Sequence, residues 1–129
     1  MTCVLGTHVV LWDVFAPEKL NEKARLDLDT HRLIIADITL CEIAMLAAKQ
    51  RISLPVDVET FLQRYCEARS VDVHPVTPKI AAMSVSFGMQ LNLDPADRLI
   101  VATACAEHCP LVTADKNLQQ AGIVEVIEA

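Results

Sequence analysis

Residues 33–49 have the sequence LIIADITLCEIAMLAAK, and this stretch decides the fold class. Residues 33–36 are apolar and rich in β-branched side chains, which is typical of a buried strand. Residues 39–49 carry apolar side chains at helical spacing, and their opening Thr39-Leu40-Cys41-Glu42 has the form of a helix capping box. A short buried strand followed directly by a helix is the repeating unit of an α/β fold with a parallel sheet.

The same alternation of strand and helix extends along the chain in both directions. Further strands are predicted at residues 3–5, 71–76, 111–113 and 124–127. Further helices are predicted at residues 21–28, at 57–69, from Pro78 onward, and from Pro95 to about Glu107. Asn21, Thr77 and Asp94 are the expected N-caps. Pro75 would place the strand at 71–76 on an edge of the sheet. We therefore expect a parallel sheet of about five strands flanked by helices.

Composition limits the classes of protein to which the chain can belong. With 129 residues, 53% of them hydrophobic and 22% charged, it suits one globular domain spanning residues 1–129. Its net charge of −6 argues against coating DNA but not against a nuclease, because bound cations can supply positive charge beside a phosphate. Five cysteines without a C-x-x-C motif indicate reduced thiols rather than a disulfide framework or a zinc ribbon.

The expected location is the cytoplasm. Residues 1–10 lack the basic start and the small-residue cleavage site of a signal peptide. Charged residues interrupt every apolar stretch before it reaches the length that spans a bilayer, so we expect no membrane segment.

Acidic residues follow strands or open helices at the edge of the sheet where α/β proteins place their functional groups. Glu42 is expected in the first turn of its helix, Asp94 and Asp97 open the helix after Asp94, and Asp115 follows a strand. Clustered carboxylates repel one another unless a cation binds between them, and Mg²⁺ or Mn²⁺ suits an all-oxygen site. Taken singly, each residue also has a plainer role, as a cap, a first-turn acid or a turn residue.

Four stretches of the chain resemble the PIN domains of the VapC type, the toxin ribonucleases of bacterial and archaeal toxin–antitoxin pairs. They are residues 4–12 (VLGTHVVLW), 38–44 (ITLCEIA), 94–104 (DPADRLIVATA) and 110–115 (PLVTAD). All four occur in the order and at the spacing of that family, and the third is the most specific. The resemblance implies a three-layer PIN-like α/β fold and a metal-dependent hydrolase that cleaves single-stranded RNA.

The resemblance also implies the site residues and the partners. Glu42, Asp97 and Asp115 would be the catalytic carboxylates and would bind Mg²⁺ or Mn²⁺. Four residues would support them: Asp94 as a helper or cap, Thr7 and Thr113 as hydrogen-bonding neighbours, and Arg98 as a contact to phosphate or to a neighbouring acid. Family members usually dimerise and are silenced by a small antitoxin, so the implied partners are RNA, an antitoxin and a second copy of the chain.

Gly6 departs from the family pattern. The opening strand of the family normally ends in Leu-Asp-Thr-His, whereas this chain has Leu5-Gly6-Thr7-His8. Glycine supplies no ligand at the first acidic position, and Asp13 is too far along the chain to replace it. A plainer explanation of Gly6 is a tight turn that needs a positive φ. We expect weakened Mg²⁺ binding and strongly reduced cleavage for this chain.

Three functions remain compatible with these residues. The leading hypothesis is the toxin ribonuclease, impaired at Gly6. The alternative is a catalytically silent PIN-like module that binds RNA or its antitoxin without cutting. A small-phosphoester hydrolase is the weakest option, because it would need an aspartyl nucleophile where Gly6 stands.

Several other residues have structural explanations that are favoured over functional ones. Trp12 and Phe15 are expected in the core or at a dimer contact, ahead of stacking on nucleic acid. His8 is expected to support the site rather than to bind metal. Cys105, His108 and Cys109 are predicted to share a helix face, and core packing with an exposed His108 is favoured there over a zinc site.

Overall fold

The chain folds around one five-stranded sheet in which every neighbouring pair of strands is parallel. A computed structural model describes residues 1–91 and 94–129. The strands are β1 (Thr2–Leu5), β2 (Arg32–Ala36), β3 (Asp72–His74), β4 (Leu111–Thr113) and β5 (Val126–Glu128). Their order across the sheet is β3-β2-β1-β4-β5. The predicted parallel sheet is confirmed, and β3 is at an edge as Pro75 indicated.

Helices form the crossovers on both faces of the sheet. They are α1 (Thr7–Phe15), α2 (Glu22–Thr30), α3 (Asp37–Ala48), α4 (Val58–Arg69), α5 (Pro78–Ser84), α6 (Pro95–Ala106) and α7 (Lys116–Ala121). Two short 3₁₀ turns, Pro17–Lys19 and Gly88–Gln90, complete the described elements. Among the described residues, no helix combines the length and the apolar character needed to cross a bilayer.

The side chains of β1 alternate between two hydrophobic clusters, as the pleat of a strand requires. Cys3 and Leu5 point into the cluster that also receives α1, α2 and α4, whereas Val4 points into the cluster formed with α6. All three side chains are fully buried. The protein therefore has three layers, with the sheet between two layers of helices.

Burial also raises the pKa of the Cys3 thiol to about 12, so this thiol stays neutral and packs as an apolar group.

The N-caps of the helices follow the predictions made for Asn21, Thr77 and Asp94. Asn21 accepts from the amide of Ala24 at 2.8 Å, and Thr77 accepts from the amide of Ile80 at 3.2 Å. Asp94 accepts from the amide of Ala96 at 2.9 Å. Each side chain satisfies an amide that the first turn of a helix leaves without a backbone partner.

The capping box predicted at Thr39 is wrong. α3 begins at Asp37, directly after β2, and Ala36 is its N-cap without a side-chain hydrogen bond. Thr39 is the third helical residue and is fully buried, so its hydroxyl does not cap the helix. Glu42 therefore lies in the second turn of α3 instead of the first. Asp37 takes the acidic position in the first turn, where the helix dipole favours it.

α1 and α7 are absent from the prediction, and β5 is displaced from 124–127 to Val126–Glu128. The first turn of α1 contains adjacent β-branched residues, Val9 and Val10, which favour strands in isolation. α7 has only six residues, too few for a periodic pattern. Both helices are held by packing: Val9, Val10 and Leu118 are buried in the two clusters.

Arg69, the last residue of α4, connects three helices through ion pairs with a buried carboxylate, Asp13, and an exposed one, Asp29. Its guanidinium donates to both carboxylate oxygens of Asp13 on α1, at 2.6 and 2.8 Å, and to Asp29 on α2 at 2.6 Å. Tyr65 donates its hydroxyl to Asp13 at 2.9 Å. The hydrogen bonds that Arg69 donates to Asp13 raise the pKa of the Arg69 guanidinium. Asp13 is thus held at the end of α1 away from Gly6, in agreement with the prediction that it does not replace the missing acid.

We predict that Arg69→Met lowers the free energy of unfolding by about 2–3 kcal/mol, because it leaves the Asp13 carboxylate, only 8% exposed, without its cation. The matched control is Arg32→Met, which removes a pair with Asp72 whose side chains are 65% and 58% exposed. That change should cost less than about 1 kcal/mol. Urea unfolding of both variants measures the difference, and equal losses would contradict the prediction.

Candidate active site

A cavity of about 430 Å³ opens beyond the carboxyl ends of β1 and β4. The strand order reverses here, because the chain proceeds from β1 to β2 on one side and returns to β4 on the other. Such a reversal leaves a crevice between the crossover helices, where open α/β sheets place their ligands. The residues predicted for the site that line this cavity are Gly6, Thr7, Glu42, Asp94, Asp97, Thr113 and Asp115.

Glu42 is oriented by hydroxyl groups from α1 and α3. The Thr7 hydroxyl donates to Glu42 Oε1 at 2.5 Å, and the oxygen of Thr39 lies 3.3 Å from that of Thr7. Thr7 and Thr39 are both buried, whereas Glu42 is half-buried. Thr7 was expected to hydrogen-bond a carboxylate or a metal-bound water, and its hydroxyl lies against Glu42. Thr39 was missed as a site neighbour because its position in the sequence suggested a cap.

Asp115 has a structural role as well as a place in the cavity wall. Its Oδ1 accepts from the amides of Asn117 at 2.8 Å and Leu118 at 3.3 Å, so it is the N-cap of α7. Its own amide donates to the Thr113 hydroxyl at 3.1 Å. Thr113 is buried at the end of β4 and thereby fixes the direction in which Asp115 leaves the strand.

Asp94 and Asp97 both lie at the start of α6. Asp94 is the N-cap, as predicted, and Asp97 is an acidic residue of the first turn. The partial positive charge at the N-terminus of a helix stabilises carboxylates at these positions. Asp97 is half-buried and lies in the cavity wall, whereas Asp94 is exposed and lies at the rim.

Gly6 does not have the backbone conformation that requires glycine. Its φ is −70° and its ψ is 159°, an extended conformation open to any residue, so the explanation of a turn with positive φ is wrong. A Cβ atom at this position would lie 3.3 Å from the carbonyl oxygen of Val112 and 3.6 Å from the hydroxyl oxygen of Thr113. A side chain here would therefore stand between β1 and β4 in the cavity wall, after a shift of a few tenths of an ångström.

Comparison with known proteins identifies the family. Residues 3–124 match the PIN domain. This chain belongs to the PIN-domain family. Over 120 residues it is 37% identical to Ribonuclease VapC22 of Mycobacterium tuberculosis (strain ATCC 25618 / H37Rv), an alignment that covers 92% of this chain and 90% of that protein. The predicted family membership is thus confirmed.

Solved structures share the PIN fold of this chain. VapBC2 from Rickettsia felis, solved bound to a DNA fragment from its promoter, superposes with a TM-score of 0.76 at 18% identity, covering 99% of this chain and 98% of the other. A toxin–antitoxin complex from Klebsiella pneumoniae superposes with a TM-score of 0.66 at 26% identity, covering 97% and 95%. The α/β architecture inferred from the sequence is therefore shared by solved relatives.

The oxygen donors of this PIN domain fit a hard divalent cation in kind, since carboxylates and hydroxyls are the ligands that Mg²⁺ prefers. In the described part of the chain, however, no three acidic, histidine or cysteine side chains are gathered closely enough to hold one ion. Glu42 is hydrogen-bonded to Thr7, and Asp94 and Asp115 each cap a helix. Gly6 adds no donor to the wall between β1 and β4.

Arg98 lies outside the cavity lining, although it follows Asp97 in the sequence. Its guanidinium donates to the backbone carbonyls of Ser84 at 3.2 Å, Gly88 at 2.8 Å and Leu91 at 3.0 Å. These bonds tie the segment after α5 to the start of α6. Arg98 therefore fixes the backbone at Ser84, Gly88 and Leu91 against α6.

The helix face predicted to carry Cys105, His108 and Cys109 does not form. α6 ends at Ala106, and His108 has a φ of 52°, which turns the chain out of the helix before Cys109. The exposed position expected for His108 is confirmed. His108 and Cys109 lie beyond the end of α6, and Pro110 follows them.

We predict that Gly6→Ala changes the free energy of unfolding by no more than about 0.5 kcal/mol, because alanine readily adopts this backbone conformation. The matched control is Gly122→Ala, which places alanine at a φ of 68° with nothing within 4 Å of the new atom. That change should destabilise by about 1 kcal/mol through backbone strain alone. Thermal or urea unfolding compares the two; a loss at Gly6 as large as at Gly122 would contradict the prediction.

Proposed function

We propose that this PIN-domain protein is the ribonuclease toxin of a toxin–antitoxin pair, with chemistry weakened at Gly6. The observation that carries the proposal is the convergence of Glu42, Asp97 and Asp115 on one cavity at the reversal of strand order. The 37% identity with Ribonuclease VapC22 supports the same activity. Hydrolysis would take place where the backbone of a single RNA strand crosses this cavity.

The residues of the chain would each contribute to phosphodiester cleavage. PIN-domain VapC nucleases generally depend on a divalent metal, and Mg²⁺ or Mn²⁺ would be held here by Glu42, Asp97 and Asp115. The metal would supply positive charge for the phosphate and make an attacking water more acidic. Thr7 fixes Glu42, Thr113 positions Asp115, and Asp94 holds the start of α6 so that Asp97 faces the cavity. The oxygen of a water would bond to phosphorus while the bond from phosphorus to the leaving oxygen of the RNA backbone breaks, and the proton that the water loses would be balanced by the proton that the leaving oxygen gains.

We further propose a small antitoxin partner, a homodimer and a cytoplasmic location. The solved relatives include the VapBC2 assembly and a toxin–antitoxin complex, which supports a partner of this kind. An antitoxin would have to bind the toxin in the compartment that contains the RNA substrate, which is the cytoplasm. Five cysteines without a disulfide suit a reducing compartment.

The Gly6→Asp variant is the direct test of the weakened chemistry. We predict that it cleaves unstructured RNA roughly 10²-fold faster than the native chain, because it restores a carboxylate beside Thr113. Aspartate is also a favourable N-cap at the start of α1, so the variant should fold. The readout is the initial rate of cleavage of a labelled RNA with Mg²⁺ or Mn²⁺, and EDTA should abolish it.

Further substitutions in the Gly6→Asp background test whether the other carboxylates of the cavity are needed for cleavage. Glu42→Gln and Asp97→Asn should return the rate to the level of the native chain, whereas Glu67→Gln, an exposed acid on α4, should leave it unchanged. Equal rates for the native chain and Gly6→Asp would contradict the assignment of Gly6 as the missing ligand position.

The alternative, a silent module that binds without cutting, is favoured by one observation: three ligands are not gathered around one point in the described part of the chain. Titrating Mn²⁺ into the native chain and Gly6→Asp separates the two functions. We predict that Gly6→Asp binds in the low millimolar range or better and that the native chain binds at least about tenfold more weakly. If neither protein binds Mn²⁺ at millimolar concentrations, the enzyme hypothesis fails and the silent module remains.

A further inference from the structure

A second groove, of about 520 Å³, adjoins the acidic cavity between α1 and the segment that follows α3. His8 and Trp12 line both the acidic cavity and this groove, so the two are continuous. The groove has an apolar floor that includes Leu46 and Ile52, and its lining contains no carboxylate. His8 and Trp12 therefore mark the boundary between two surfaces. The acidic cavity lies on one side of them, and an apolar surface with cationic side chains lies on the other.

Three cationic side chains lie around the groove. Lys19 and Arg51 line the groove, and Lys49 lines a smaller adjoining cavity together with His8 and Glu42. In the part of the chain that the structure describes, none of the three makes an ion pair. All three are exposed. In a protein of net charge −6, three unpaired cations along one groove create a local attraction for anions.

Two aromatic rings stand beside these cations. Trp12 is the single tryptophan of the chain, and the ammonium of Lys19 lies 5.6 Å from the centre of its ring. Phe15 is 45% exposed, although its ring stacks on Phe61 with an angle of 7° between the planes and 5.6 Å between the centroids. Phe61 thus holds Phe15 in a defined orientation at the groove. Phe15 was expected in the core or at a dimer contact, and its exposure places it outside the core.

Alternating aromatic and cationic side chains match the chemistry of a single nucleic-acid strand. Unpaired bases stack on aromatic faces, and each stacked base contributes about 1–3 kcal/mol. Lysine and arginine neutralise the phosphates between the bases. A duplex keeps its bases stacked on one another, so an aromatic groove of this kind selects a single strand.

We propose that the groove defined by His8, Trp12, Phe15, Lys19, Lys49 and Arg51 seats the nucleotides of single-stranded RNA next to the bond to be cleaved. Bases stack on Trp12 and Phe15, and their phosphates contact Lys19, Lys49 and Arg51. The inference rests on the proposed function, because it is the shared wall at His8 and Trp12 that leads the strand into the acidic cavity. It assigns substrate positioning to residues distinct from the carboxylates.

Trp12 makes binding directly measurable, since it is the only source of tryptophan emission in the chain. The native protein is titrated with an unstructured oligoribonucleotide in the absence of metal, at several salt concentrations. The expected result is quenching of Trp12 emission by RNA, with inorganic polyphosphate of equal charge causing little quenching. Equal quenching by both would overturn base stacking. Emission that changes with protein concentration alone would make the groove a contact between copies and would also overturn the proposal.

Matched charge variants test the cations. The triple variant Lys19→Gln, Lys49→Gln, Arg51→Gln should reduce the slope of log affinity against log salt by about 2, at roughly 0.7 for each phosphate contact of a single strand. Arg64→Gln and Lys79→Gln are the controls, because these exposed cations also make no ion pair with a described residue and lie away from the groove. The controls should leave the slope unchanged. An unchanged slope in the triple variant overturns the assignment of the cations.

The aromatic residues are tested with labelled RNA, so that the readout does not depend on Trp12 itself. Phe15→Leu and Trp12→Leu should each weaken binding roughly tenfold by fluorescence anisotropy, as expected for the loss of one stacked base.

In the Gly6→Asp background, the triple charge variant should raise KM with little change in kcat. Cleavage by Gly6→Asp with unaltered KM in the triple variant would refute the groove and leave the nuclease intact. Groove binding without any cleavage by Gly6→Asp would refute the nuclease and leave the groove.

Discussion

The structure depends on the parallel pairing of β1 with both β2 and β4. β1 is the central strand, and its register places Val4 opposite both Ile34 and Leu111. The side chains of residues 3–5 are each buried in one of two clusters. Because the chain leaves β1 toward one edge and returns on the other side, the helices diverge at its carboxyl end. The cavity is the consequence of that divergence, and the residues that follow β1 and β4 become its wall.

The sequence was sufficient for the elements whose local signals agree with their packing. β2, α4 and α6 combine an apolar pattern with a recognisable start, and they lie within two residues of the predicted bounds. The start of α3 could not be predicted, because Ala36 caps without a side chain and the Thr39 signal pointed two residues too far. α1 could not be predicted for a similar reason. Gly6 offers no capping side chain, and the helix is stabilised by the burial of Val9 and Val10.

The edge of the sheet that carries the candidate site could also be inferred from the sequence. The hydrogen-bond partners and the orientation of each carboxylate could not. Parallel strands bring Glu42, Asp97 and Asp115 to one edge as a matter of topology. Whether they gather around one point depends on local hydrogen bonds, such as the bond from Thr7 to Glu42 and the cap that Asp115 provides to α7. The backbone angles of Gly6 were likewise invisible in the sequence, where glycine is equally compatible with a turn and with an extended residue.

Glycine at position 6 adds no charge to the wall between β1 and β4. Acids clustered without a cation repel one another, so a further carboxylate there would raise the electrostatic cost of folding without metal. The acids that are present have local partners, as Glu42 does in Thr7 and Asp115 does in the amides of α7. The apolar groove lined by Trp12, Phe15, Lys19 and Arg51 has no carboxylate in its lining. A change at Gly6 therefore alters the chemistry of the cavity while the surface that would position a strand is left as it is.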